Sequence, residues 1–287
     1  TGSLSDEILR DFYDRLSYLR NLEDKKEEIL RLIDEQENLT VEIEKSIENA
    51  VTLSELEDIY RPFRPKRRTR ATIAKEKGLA PLAEIILAQN PNDNIESISL
   101  DFIDTEKDVE SSEDAIAGAM DIIAEEISDN PEYRKDIRQK TIDFGLLVSK
   151  ASTEDDSVYR LYYDFAEPIK KLANHRLLAI DRGFLSVKID IDEEKITNYL
   201  FRRLTPKHES PSTKYVKLAA EDSYKRLIAP SISTEIRNML TENAEEASIK
   251  VFNQNLSGLL LQPPIKDKIV MGFDPGYRTG CKVAVVD

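Results

Sequence analysis

From position 4 onward, apolar residues return at steps of three and four: Leu4, Ile8, Phe12, Leu16 and Leu19, then Leu22, Ile29 and Ile33. That period places them on one face of a helix over residues 4–33. Ser3 or Ser5 can cap its start, and Asp6 and Glu7 sit where the helix dipole favours acids. Asn38 and Thr40 interrupt the pattern, and "VEIEKSIENA" resumes it as a short second helix. Thr52 and Glu55 have the spacing of a capping box for a third, which must stop before Pro62. "ATIAKEK" reads as a helix closed by Gly78 in a left-handed cap, and Pro81 as the first turn of the next. Residues 112–127 and 131–148 continue the helical theme, the second started by Asp129 or Asn130 ahead of Pro131.

In "FLSVKIDID" (184–192) the period drops to two, with Leu185, Val187, Ile189 and Ile191 alternating. That predicts a strand in a small hairpin or at a domain edge. Long helices are expected near 212–229 and 231–257, divided at Pro230. "LLLQPP" then reads as a linker and "KIVMGFD" as a buried strand. The expected fold class is mainly α: a multi-helix scaffold with a small strand element and a C-terminal β-hairpin.

Composition adds constraints. With 40% apolar and 33% charged residues the chain is of the soluble, globular kind. It has no Trp and only nine Phe, so Leu, Ile and Ala must build the core. A single cysteine, Cys281, excludes an internal disulfide framework and fits a reducing compartment. Two histidines, His175 and His208, leave no Cys/His cluster for structural zinc. Apolar runs such as "GLLL" (258–261) fall far short of the ~20 residues that span a bilayer. No charged-then-apolar leader opens the chain, so a cytoplasmic location and no membrane partner are expected.

Charge is distributed unevenly. The chain carries 41 basic and 55 acidic residues, a net −14. Between positions 61 and 77, however, Arg61, Arg64, Lys66, Arg67, Arg68, Arg70, Lys75 and Lys77 face one acid, Glu76, for a local +7. Residues 1–60 stand at −10 and residues 78–132 at −14. Several guanidinium forks in a segment stiffened by Pro62 and Pro65 match phosphate geometry. Tyr60 and Phe63 could stack on bases if they are exposed. One reading is a sequence-independent contact with an RNA or DNA backbone through these eight residues. The other is architectural: the arginines clamp the acidic helices of the same chain, and partners meet the helical surfaces.

"IVMGFDPGYRTGCKVAVVD" (269–287) reads as a strand ending in Asp274, a Gly-rich turn and a returning strand. Ribonuclease-H-like nucleases and actin-like kinases both begin this way. In the first, a strand-end carboxylate such as Asp274 helps hold two Mg²⁺ ions; in the second, the turn cradles ATP phosphates. A plain hairpin with Asp274 capping its turn is the third reading. Either active site needs further acids from later strands, and the chain stops at Asp287 in an apolar run, as if cut through a domain. No catalytic activity and no cofactor are therefore expected of it. "NHRLLAIDRGFL" (174–185) could form a ligand pocket from His175, Arg176 and Arg182, but a satisfied structural histidine is the better reading. The serine-rich start after Pro230 could present free N–H groups to a phosphate, or simply be capped.

Four separated segments, "LEDIYRPFRPKRRTRATIAKEKGLAPLAEIIL", "NHRLLAIDRG", "VFNQNLSGLLLQPP" and "GFDPGYRTGCKVAVVD", resemble the bacterial Tex family of transcription accessory proteins in order and spacing. The resemblance implies a cytoplasmic nucleic-acid-binding protein of several modules, linked to the transcription machinery. Such proteins join a helical N-terminal region to a YqgF domain of ribonuclease-H-like fold, then helix-hairpin-helix modules and an OB-fold that binds RNA. On that resemblance residues 1–264 are the helical region and 265–287 the first hairpin of the YqgF domain. Asp274 would then be the first carboxylate of a ribonuclease-H-like site, the Mg-dependent nuclease alternative, although the family's YqgF domain is generally regarded as lacking a complete site.

Overall fold

The computed structural model describes residues 6–65, 67–152, 157–173, 183–206, 210–263, 266, 268–276 and 280–287. The chain is mainly α. Eight helices come first: α1 Asp6–Asp34, α2 Val41–Glu48, α3 Leu53–Tyr60, α4 Arg70–Glu76, α5 Ala80–Ala88, α6 Ile95–Ile98, α7 Ser112–Asp129 and α8 Pro131–Phe144. Strands β1 Leu146–Ala151, β2 Asp164–Pro168 and β3 Leu185–Asp190 follow, then α9 Glu193–Leu204, α10 Thr213–Asp222, α11 Ala229–Leu260, and the strands β4 Val270–Asp274 and β5 Lys282–Val286. No helix of the described residues is long and apolar enough to cross a membrane.

Two compact units divide the chain, one of residues 1–172 and 180–239, the other of 173–179 and 240–287. In the first unit Leu22, Ile29 and Ile33 of α1 close a core with Ile47, Ala50, Leu56 and Tyr60. Thr40 and Thr52 cap α2 and α3 by accepting from the Ile43 and Glu55 amides. The Glu55 carboxylate reaches back one residue beyond the expected box, accepting from the Val51 amide. The second focus of packing is α7, with Ala115, Ala119, Ile122, Ile123 and Ala124 all buried. It lies against α4, α5 and α10. Alanines on these faces let the helices approach closely.

Gly78 (φ +85°) closes α4 in the left-handed region, as its sequence position predicts. The helix expected over 131–148 ends at Phe144 instead, and Leu146 opens a strand. Gly145 makes the junction: its amide donates to the Thr141 carbonyl, and a Cβ there would collide with that same oxygen. The resulting sheet is antiparallel, in the order β2-β1-β3. The strand expected over 184–192 is thus its edge, with Val148 opposite Ala166 on one side and Lys188 on the other.

Pro230 does not divide two helices. The segment Ser223–Ile228 widens into a π-helical turn and the chain runs on through α11. Pro230 has no N–H for the Arg226 carbonyl, and its ring crowds that carbonyl. The wider turn relieves the clash without a break. No free helix start is therefore left at Ser231 to hold a phosphate. The second unit holds the β4–β5 hairpin, with Asp274 paired to Lys282 at its turn end. The strand expected to be buried is exposed, Met271 and Phe273 included, because no third strand or second layer covers it among the described residues.

Candidate nucleic-acid interface

The cation-rich segment is built in three parts. Arg61–Phe63 continue α3 as a tight 3-10 turn with Pro62 in its first turn. The chain extends through Arg64, and Thr69 then starts α4, its hydroxyl accepting from the Thr72 amide while the Thr72 hydroxyl accepts from the Thr69 amide. Arg70 opens α4, and Lys75 and Lys77 close it, where cations favour the helix dipole.

The structure sorts the eight cations. Arg61 turns inward: its Nε lies 3.5 Å from Asp129 and its side chain is 36% exposed. Burial first, and then the neighbouring Arg134 charge, hold its guanidinium below the usual arginine range, with Asp129 opposing. Lys77 donates to the Asp108 carbonyl at 2.8 Å. Arg64 and Arg68 face solvent, 66% and 72% exposed, each with one acid at arm's length: Glu57 at 3.8 Å and Glu76 at 3.2 Å. Pairs this exposed are weak, and a phosphate can displace the carboxylate. Arg67, Arg70 and Lys75 are exposed as well. Lys66 lies outside the described residues, as do His175, Arg176, Arg182 and His208.

The two aromatic rings of the segment do not join this surface. Tyr60 is buried in the α1–α3 core and Phe63 packs against the same cluster, while the Phe63 carbonyl accepts from the Gln36 side chain. Tyr60 has no face open for a base, and Phe63 is half-buried. The rings fix the turn from which Arg64 onward project.

Beneath the turn lies an ion network that sequence reasoning missed. Asp58 of α3 accepts from Arg134 Nε and Arg138 Nη2 of α8, both at 2.7 Å. Arg138 also reaches Glu235 at 3.0 Å, and Arg134 Nη2 donates to Ser231 Oγ at 3.0 Å. Arg134 is only 2% exposed, and its Nη1, like Arg138 Nε, has no hydrogen-bond partner among the described residues. Burial works against the charge of Arg138, but Asp58 and Glu235 outweigh it and hold the guanidinium above its ordinary range. One sequence signal was available: two arginines four apart, flanking Ile137 on the face that α8 buries. A cleft of about 480 Å³ adjoins the network. Its carboxylates, Glu57, Asp58, Glu125, Asp129 and Glu235, outnumber Arg61, Arg64 and Arg134, so the cleft does not favour an anion.

Asp274 is exposed at the end of β4. No group of three or more His, Cys, Asp or Glu suited to a metal occurs among the described residues.

Helical layers around a buried ion network, with a cationic turn on their surface, define a class of protein: a helical scaffold with an outward basic edge. Residues 89–252 match the family model described as Tex central region-like. The chain belongs to the Tex family. It is 44% identical to YdcI of Bacillus subtilis (strain 168), covering 100% of this chain and 41% of that protein. It is 33% identical to the transcriptional accessory protein Tex of Neisseria gonorrhoeae, covering 100% of this chain and 39% of that one. With the S1 RNA-binding domain-containing protein 1 of Homo sapiens it shares 28% identity over 99% of this chain and 30% of that protein. The chain thus spans about two-fifths of the length of the bacterial relatives.

Proposed function

We propose that this chain is a non-catalytic, nucleic-acid-binding scaffold of a cytoplasmic transcription accessory protein. It touches the phosphate backbone of RNA or DNA without reading sequence, through Arg64, Arg67, Arg68, Arg70 and Lys75. One observation carries the reading: in a chain of net −14, Arg64, Arg67 and Arg68 are exposed just beyond a turn anchored by Tyr60, Phe63 and Arg61, and Arg70 and Lys75 are exposed on α4 beside them. The relatives named for transcription and for RNA binding support it. Arg61 and Lys77 then belong to the frame that presents the strip.

The test is a titration of single- and double-stranded RNA and DNA at two salt concentrations, with the wild type and with Arg64, Arg67 and Arg68 changed to Ala. Each lost phosphate contact should flatten the slope of log K against log salt by ~0.7 to 0.9. The architectural reading, which the Arg61–Asp129 pair favours, makes the opposite forecast: unchanged affinity and a lowered melting temperature.

A further inference from the structure

Between α8 and α9, in the first unit, runs a groove of about 360 Å³. Lys140 and Phe144 line it from α8; Asp192, Lys195, Tyr199 and Arg202 line it from α9 and the residue before it. Phe144 is 70% exposed, the last residue of α8 before the chain turns at Gly145. A ring held at a rigid junction, with its face in water, is an unused stacking surface.

The charges around it are arranged for an anion. The Lys140 ammonium lies over the Tyr199 ring, 4.8 Å from its centroid. The Tyr199 hydroxyl donates to Asp136, which fixes the ring. The nearby acids are engaged: Asp143 pairs with Lys170 at 2.7 Å and Asp192 with Lys195 at 3.2 Å. Arg202 is exposed and makes no ion pair with the described residues. Lys140 and Phe144 are four apart on one stripe of α8, about 120° around the helix from the stripe of Arg134 and Arg138 in the buried network.

We infer that this groove binds one nucleotide of a single-stranded nucleic acid. Its base stacks on Phe144, and its phosphates pair with Lys140 and Arg202. Stacking needs an unpaired base, so the groove discriminates against duplex, which the outward strip alone does not. It reads neither sequence nor the sugar hydroxyl. The inference rests on the proposed nucleic-acid role but uses other residues and a different kind of contact.

The experiment measures fluorescence anisotropy of labelled oligo(U), oligo(dT) and a duplex of equal length, with free UMP as competitor. The proteins are the wild type, Phe144→Ala, Phe144→Tyr, Arg202→Gln and the triple Ala variant at Arg64, Arg67 and Arg68. Phe144→Ala should weaken both single strands by about 5- to 100-fold at unchanged salt slope and leave the duplex unaffected. Phe144→Tyr should retain wild-type affinity, which separates loss of the ring from loss of fold, and Arg202→Gln should flatten the slope. Equal affinity of wild type and Phe144→Ala for oligo(U) overturns the inference, as does equal loss on duplex. UMP competing as well as the oligomer would make the ligand a free nucleotide and overturn the strand assignment. A change confined to self-association would give the groove to a second copy and overturn it as well. If only the triple variant loses binding, the backbone strip stands and the groove falls. The reverse pattern removes the strip and keeps the groove.

Discussion

At the scale of single residues, Asp58 is where this fold is most exposed to damage. It is nearly fully buried and holds two guanidinium groups that have also left water. A buried pair contributes little relative to a well-packed apolar replacement, but removing one partner strands the other. Asp58→Asn keeps the shape and discards the charge, leaving Arg134 and Arg138 to share the part-exposed Glu235. The expected loss is about 3–5 kcal/mol in urea unfolding. Glu57→Gln, next along α3 on an exposed side chain, should cost less than about 1 kcal/mol. Similar costs for the two variants would mean that Asp58 is not the hub. Tyr60 and Phe63 teach the complementary lesson. In sequence they sit among arginines like stacking platforms; in the fold they are the hydrophobic footing of the turn.

At the scale of elements, the junctions decide more than the interiors. Several helix starts were legible because their capping residues act locally: Thr52 and Asn130 each accept from an amide three residues on. The end of α8 was not. Its apolar pattern runs on into β1, and only the turn at Gly145 separates them. Gly145→Ala should therefore destabilise by about 1–3 kcal/mol, through collision with the Thr141 carbonyl, despite alanine's better helix propensity. Thermal unfolding of the variant gives the answer, and an unchanged midpoint would show that the junction yields. Pro230 misled for a related reason: the π turn before it absorbs the missing hydrogen bond, an option no pattern of apolar residues encodes.

At the scale of the whole molecule, protection from exchange should follow burial. α7 carries a run of fully buried side chains, whereas the residues of β4 and β5 are almost all exposed. A two-stranded hairpin without a covering layer is marginal by itself. Hydrogen exchange should then run at least roughly tenfold faster in 270–286 than in the middle of α7. Comparable protection would place another layer over the hairpin in solution.

The sequence alone determined what is local or periodic. A step of three or four apolar residues specifies a helical face wherever it occurs, a Thr or Asn ahead of it specifies a start, and Gly78 specifies a left-handed stop. It also placed eight cations in seventeen positions and drew the likeness to the Tex family. What it left open was direction and partnership. Whether an arginine faces a phosphate or a carboxylate depends on which distant residue the chain brings beside it. Asp129 meets Arg61, and Asp58 meets Arg134 across 76 positions. The same holds for Phe144, whose exposure beside Lys140 and Tyr199 exists only once α9 has packed against α8. Burial and charge pairing belong to contacts between elements, so only the tertiary structure decided them.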